Sequence, residues 1–177
     1  MQIFAMTAPV CCEHNDELHA VHSHNVDDVA ARLAQIDDVC VARGLRLTPL
    51  RREVLELVLQ AQKPVGAYDL LAKLTAKDGR PAAPPTVYRS LDFLLEQGFI
   101  HRLASINAFI PCCHPRAGHQ AAFLICEQCH RVQETSAANL VQTLGELAQH
   151  GHFVPKTTLI EISGVCAGCQ HGVADEH

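Results

Sequence analysis

The stretch Pro85-Thr86-Val87-Tyr88-Arg89-Ser90-Leu91-Asp92-Phe93-Leu94-Leu95-Glu96-Gln97-Gly98 decides the fold. At about 100° per residue, Val87, Leu91, Leu94 and Leu95 share one face, Arg89 points almost directly away, and Thr86 and Tyr88 lie on the flanks. The pattern predicts a helix running from Thr86 to Gly98, anchored on one side and offering its N-terminal end outward. Pro81 to Pro85 read as a stiff connector into it.

Working back from that helix, the apolar positions Val26, Val29, Ala30, Leu33, Ile36 and Val39 recur at helical spacing until Gly44 stops them. Thr48-Pro49 is an N-cap followed by a proline at the first helical position. It opens a helix with Leu50, Val54, Leu57, Val58 and Ala61 on one face. Pro64 and Gly66 punctuate, and a short helix with Leu70, Leu71 and Leu74 inward ends near Gly79. Working forward, Phe99 to Leu103 and Ala108 to Pro111 read as two strands around the turn Ser105-Ile106-Asn107. Three helices followed by a β-hairpin is the order of a winged helix-turn-helix, whose last helix enters the major groove. An α+β domain that binds nothing shares that order, so the rest of the chain must decide between them.

Beyond Pro111 the texture changes. Ala121 to Ile125 and Val132 to Thr135 read as strands, Ser136 caps a helix carrying Leu140, Val141, Leu144 and Leu147, and Thr157 to Ser163 alternates around Ile160 and Ile162. The fold class is α+β: a winged-helix domain followed by a smaller α/β domain with a meagre core. A domain of that size needs staples or a partner chain.

With 48% apolar residues among 177, the chain can bury a real core. No run approaches the roughly 18 apolar residues of a membrane span, and the N-terminus has no basic segment followed by an apolar one, which reads as a cytoplasmic protein. The net charge of -5 argues against a nucleic-acid partner until it is divided along the chain. Residues 1–42 carry one Lys/Arg against seven Asp/Glu, residues 43–102 carry ten against six, and residues 103–177 carry three against six. Only the middle segment is basic, and screening over about 8–10 Å limits how far the acidic ends act.

Nine cysteines is an odd number for a complete disulfide framework, and CxxC pairs are better explained by metal. Cys126-x-x-Cys129 and Cys166-x-x-Cys169 each place two sulfurs on a tight turn, and four thiolates match a closed tetrahedral zinc site. The 36 residues between the pairs exceed common zinc-ribbon spacing, but a longer loop costs only about 0.6 kcal/mol per doubling. Further nitrogen, sulfur and oxygen donors gather around the domain junction: His101, Cys112, Cys113, His114, His119 and Glu134. Residues 1–24, with Cys11, Cys12 and four histidines, read as a tail that either scavenges metal or is a solvated extension.

The segments Arg46-Leu47-Thr48-Pro49-Leu50-Arg51, Pro85 to Phe99, Cys126-Glu127-Gln128-Cys129 and the terminal CxxC resemble the ferric uptake regulator (Fur) family, most of all its zinc uptake regulator (Zur) branch. The resemblance runs from about residue 26 to 171. It implies a homodimer binding a palindromic double-stranded DNA operator, with zinc as cofactor: one structural and one regulatory ion per subunit. It divides the chain into a tail (1–24), a winged-helix domain (25–103), a wing end and hinge (104–111) and a zinc-stapled dimerisation domain (112–177). The family's sensing ligands fall on His101, Cys112, His119 and Glu134, with Cys113 as a rival for Cys112. Many relatives carry a His-x-His pair before the first CxxC, which is absent here; His114, His150 and His152 are the remaining candidates for a third site.

A thiolate in the sensing site favours zinc over ferrous iron, so an iron sensor is the alternative within the class. Tyr88 and Arg89 are expected to reach bases, Thr86 base or phosphate, and Arg51 and Arg52 phosphate. The competing class is a zinc hydrolase or deaminase, with a small-molecule substrate. A four-thiolate site has no open position for water, and Pro111 is followed by Cys112-Cys113-His114 instead of the deaminase Cys-x-x-Cys. The sequence therefore reads as a zinc-responsive repressor of zinc-uptake genes, with no enzymatic activity and no membrane partner.

Overall fold

A computed structural model of the chain describes residues 26–74, 83–113, 115 and 121–170. The tail at 1–24, His114 and His119 lie outside the described residues.

Helix α1, Val26–Ala42, closes through Gly44, whose φ of 65° lies in the left-handed region that favours glycine. Helix α2, Pro49–Gln60, starts as its sequence dictates: Thr48 is extended, and its hydroxyl accepts the N–H of Arg51 at 3.4 Å. A two-residue strand β1, Val65–Gly66, leads into α3, Ala67–Lys73, where the Asp69 carboxylate accepts the N–H of Gly66 at 3.3 Å. The predicted end of this helix near Gly79 lies outside the described residues.

Helix α4, Pro84–Glu96, begins two residues earlier than expected. Pro84 and Pro85 are not connector but first turn, because N–H groups there have no intrahelical partner and a proline forfeits nothing. Val87, Leu91 and Leu94 are buried as predicted, together with Ser90, whose hydroxyl donates to the Thr86 carbonyl at 3.0 Å. The C-terminus is a Schellman turn: Gly98 has φ 70°, its N–H reaches the Leu95 carbonyl at 3.0 Å, and that of Phe99 reaches Leu94 at 2.9 Å.

α2 packs against α1, α3, α4 and the strand Ala108–Pro111, so its buried arc is wider than one stripe. Leu55 and Leu59 are buried beside Val54 and Val58, whereas Leu50, Leu57 and Ala61 are only partly covered.

Strands β2, Ile100–Leu103, and β3, Ala108–Pro111, form the hairpin, and β1 adds to β3 to give the order β1-β3-β2. In sequence β1 shows only as punctuation, since two residues carry no periodicity; pairing of Val65 with Phe109 makes it a strand. The second sheet contains β4, Ala121–Cys126, β5, Val132–Ser136, and β6, Ile160–Gly164, in the order β5-β4-β6. β6 runs parallel to β4 after a crossover through α5, Ala138–His150. Ser136 ends β5 instead of capping this helix; Ala137 stands at the cap and offers no side-chain hydrogen bond. A one-turn helix α6, Ala167–Gln170, follows.

One large core joins α1 to α4 with Phe99, Ile100 and Phe109. The second part has two small clusters, one of Leu103, Phe123 and Ile125 and one of Ala122, Ala137 and Ile160. No residue of α5 is buried. No described helix is long and apolar enough to cross a membrane.

Leu91 is 1% exposed in the large core. Leu91→Ala is expected to destabilise that core by about 2–5 kcal/mol, read as a lowered denaturant midpoint of the helical circular-dichroism signal. An unchanged midpoint would mean that the α4 stripe is not packed as described.

Candidate metal centres and nucleic-acid face

The first ligand group is built where β4 ends. Cys126 is the last residue of β4, and Cys129 lies in the turn whose return is eased by His130, with φ 59°. Pairing of β4 with β6 brings Cys126 opposite Gly164, which carries Cys166 and Cys169 to the same end of the sheet. The sulfurs of Cys126 and Cys169 are 3.8 Å apart, those of Cys129 and Cys166 3.7 Å. The edge of a tetrahedron with metal–sulfur bonds of ~2.3 Å is roughly 3.8 Å; these two edges match it, and all four sulfurs lie within 4.8 Å of one another. The N–H of Cys166 points at the Cys126 sulfur from 3.4 Å, and with that of Cys129 it lowers the Cys126 pKa to about 6. Hydrogen bonding with Cys166 and burial push Cys169 up to about 12. Four sulfurs this close cannot all be thiolates without a cation between them.

The second group spans the junction. The ligand atoms of His101 on β2, Cys112 just past β3 and Glu134 on β5 all lie within 4.8 Å of one another. His101 Nε2 is 3.4 Å from Glu134 Oε1, and the N–H of Cys113 donates to Glu134 Oε2 at 3.3 Å. Cys112, buried at 2% exposure, supplies the sulfur of this group; Cys113 contributes its backbone instead. His119, the expected fourth ligand, lies outside the described residues. His150 and His152 are exposed and join no group of three possible ligands among the described residues.

Register explains the convergence. Glu134 pairs with Phe123 across β4 and β5, so both side chains stand on the face toward the hairpin, and the Phe123 ring lies 5.1 Å from that of His101. From the other side α1 pins the segment that bears Cys112. Arg32 donates to the Cys112 carbonyl at 2.8 Å, and Arg43, which follows α1, donates to that of Pro115 at 3.1 Å. These arginines escaped the sequence reading because their partners are 80 and 72 residues away. No local pattern marks them.

On α4, Thr86, Tyr88 and Arg89 are exposed on the side away from the buried stripe, Tyr88 by 41%. The two arginines expected at phosphate are both engaged within the protein. The Arg51 guanidinium lies 3.6 Å over the Phe93 ring and donates to the Arg46 carbonyl at 2.9 Å, while Arg52 pairs with Asp37 of α1. Tyr68 at the start of α3 is 79% exposed, an outward aromatic that apolar spacing does not single out.

A winged-helix head with an outward polar helix, joined by mixed N, S and O ligands to a sulfur-stapled sheet, defines a DNA-binding protein of the metal-dependent kind. The chain belongs to the ferric uptake regulator family, whose model matches residues 42–163. It is 41% identical over 147 residues to the zinc uptake regulation protein of Escherichia coli, covering 82% of this chain and 85% of that protein. A solved zinc uptake regulator complexed with zinc and DNA superposes with a TM-score of 0.76 at 39% identity, over 82% of this chain and 97% of that one. The holo form of XcZur gives 0.73 at 43% identity, over 80% and 98%. The family's members are transcription regulators, which sets the hydrolase and deaminase readings aside.

Cys166→Ser is expected to abolish the tightly held metal that survives dialysis against a chelator, and to lower the melting temperature of the second sheet. Metal assay on the purified variant checks this; undiminished metal content would exclude the four-sulfur site.

Proposed function

We propose that this protein is a zinc-responsive transcriptional regulator that binds a palindromic operator as a homodimer and represses zinc-uptake genes when zinc-loaded. The carrying observation is the convergence of His101, Cys112 and Glu134 between the winged-helix head and the second sheet, in a chain so similar to zinc uptake regulators. Each subunit holds two zinc ions. Cys126, Cys129, Cys166 and Cys169 hold the structural one; His101, Cys112 and Glu134, with His119, hold the regulatory one. The thiolate of Cys112 selects zinc over ferrous iron. The domain limits are those read from the sequence, with residues 104–111 as wing end and hinge.

Bound zinc supplies a dication at the junction. His101 and Cys112 travel with the hairpin and Glu134 with the second sheet, so holding them together fixes α4 relative to the dimer axis. Two such helices then meet successive major grooves ~34 Å apart. A 100-fold change in operator affinity needs about 2.7 kcal/mol of differential zinc binding, modest beside the binding energy of one coordinated ion. Tyr88 and Arg89 read bases and Thr86 a base or phosphate. Arg51 and Arg52 meet phosphate while keeping their partners on Phe93 and Asp37.

The second copy docks on the second part. Leu124 and Ile162 pair across the sheet on the face away from the hairpin, and both are exposed, as are Leu140, Leu144 and Leu147 on α5. Apolar surface of this extent on a poorly cored sheet fits a dimer interface.

Operator binding measured across a buffered free-zinc series tests the proposal. Binding is expected to switch on with zinc in the wild type and in Cys113→Ser, and Cys112→Ser is expected to lose the response. A response to ferrous iron alone would make the protein an iron sensor, and binding indifferent to every metal would refute a metal switch.

A further inference from the structure

A second carboxylate reaches the hairpin from the opposite edge of the second sheet. Glu161 on β6 accepts the N–H of Ala104 at 2.6 Å through Oε1 and that of Ser105 at 3.0 Å through Oε2. Both donors belong to the turn between β2 and β3. Burial alone would raise the Glu161 pKa, but the hydrogen bonds from Ser105 and Ala104 more than offset it and hold the carboxyl below its ordinary value, so it is an anion at neutral pH.

Phe123 of β4 pairs with Glu134 on one side and with Glu161 on the other. The three residues form one row across the sheet, all on the face that carries the hairpin. Glu134 meets the hairpin at its open end, beside His101 and Cys112, and Glu161 meets it at its turn. A rod held at one end still pivots, whereas a rod held at both has a defined direction. Glu161 needs no ion for its contact. It grips the backbone N–H groups of Ala104 and Ser105, and the Ser105 side chain adds to the hold.

We propose that Glu161 is a positioning residue for operator recognition: a metal-independent anchor at the hairpin turn that converts closure at His101, Cys112 and Glu134 into a fixed orientation of α4. This rests on the zinc-switch reading given above. Without the anchor the regulatory ligands still meet, but the head samples a range of angles, and only part of that range presents both α4 helices to the grooves. The loss then falls on the affinity of the zinc-loaded dimer for its operator. Because zinc and DNA are linked through the same closed state, it falls on hinge-site zinc affinity as well.

The test compares wild type, Glu161→Ala and Glu161→Gln as full-length dimers. Operator binding is measured in saturating buffered zinc, hinge-site zinc affinity by chelator competition, and the amide signals of Ala104 and Ser105 by NMR. Two charge-assisted hydrogen bonds are at stake, so Glu161→Ala is expected to weaken operator binding by about tenfold or more, with zinc content and melting temperature retained. Glu161→Gln keeps one acceptor oxygen and is expected to fall between the two. The Ala104 and Ser105 amide signals should move upfield in Glu161→Ala.

Operator affinity in Glu161→Ala equal to that of wild type would overturn the anchor. So would a loss matched by a collapse in melting temperature and not graded through Glu161→Gln, because that is the mark of general destabilisation. If wild type itself ignores zinc on DNA, the switch reading fails. The amide shifts and hinge-site zinc affinity then judge the anchor separately: changed values keep it, unchanged values dismiss it.

Discussion

The hairpin of β2 and β3 gives one face to each of two cores, and everything else in the molecule depends on that sharing. Ile100 and Phe109 pack with the helices of the head, while Leu103 packs with Phe123 and Ile125, and Ile110 lies against the same cluster. Strand pairing sets His101 opposite Ile110 and Leu103 opposite Ala108, so the histidine stands on the face toward the second sheet. A one-residue slip in that register would turn His101 toward the head and Arg102 toward Glu134. The meeting of His101 with Glu134 is therefore a consequence of β-sheet parity before it is a matter of ligand chemistry.

The two cores differ greatly in strength. The largest fully buried side chains include Leu55, Leu70, Leu91 and Phe99, and apart from Leu103 they belong to the head's cluster. Beyond the hairpin, α5 has no buried residue, and Leu147 and Phe153 are 67% and 66% exposed. A sheet so thinly covered needs energy from elsewhere, and the sulfur cluster and a partner subunit are the two sources its surface offers. The cluster ties the end of β4 to the chain beyond β6 and so closes the parallel pairing, an intrinsically slow contact for a chain to form.

What could be seen in the sequence follows from the range of the interactions. The α4 stripe, the Thr48 cap, the hairpin strands and the four-cysteine pattern are local signals, and the structure carries each of them. The misplacements are also local in origin. Pro84 and Pro85 look like connector to a reader who treats proline as a breaker, and Ser136 looks like a cap because its side chain suits one; strand pairing with Ala121 claims it first. Cys112 and Cys113 could not be told apart by spacing. Parity and burial separate them, the first sulfur turning inward and the second residue lending its N–H to Glu134. Arg32, Arg43 and Glu161 were invisible because backbone carbonyls and amides far along the chain are their partners, and a backbone group carries no sequence signature.

An ion whose ligands all came from one core would bind without moving anything. Here the backbone at Cys112 is tied to α1 through Arg32, His101 rides on a strand of the head's sheet, and Glu134 belongs to the opposite edge of the second sheet. Only the arrangement that brings both bodies together completes the donor set, so any free energy of binding there is differential by construction, which is the condition for shifting a conformational equilibrium. The four-sulfur site has the reverse design: β4, its following turn and the segment after β6 all belong to the second part. It therefore stabilises one body and leaves the angle between the two untouched. Under the proposed reading the same element would serve as staple in one place and as signal in the other, and the difference lies in which cores own the ligands.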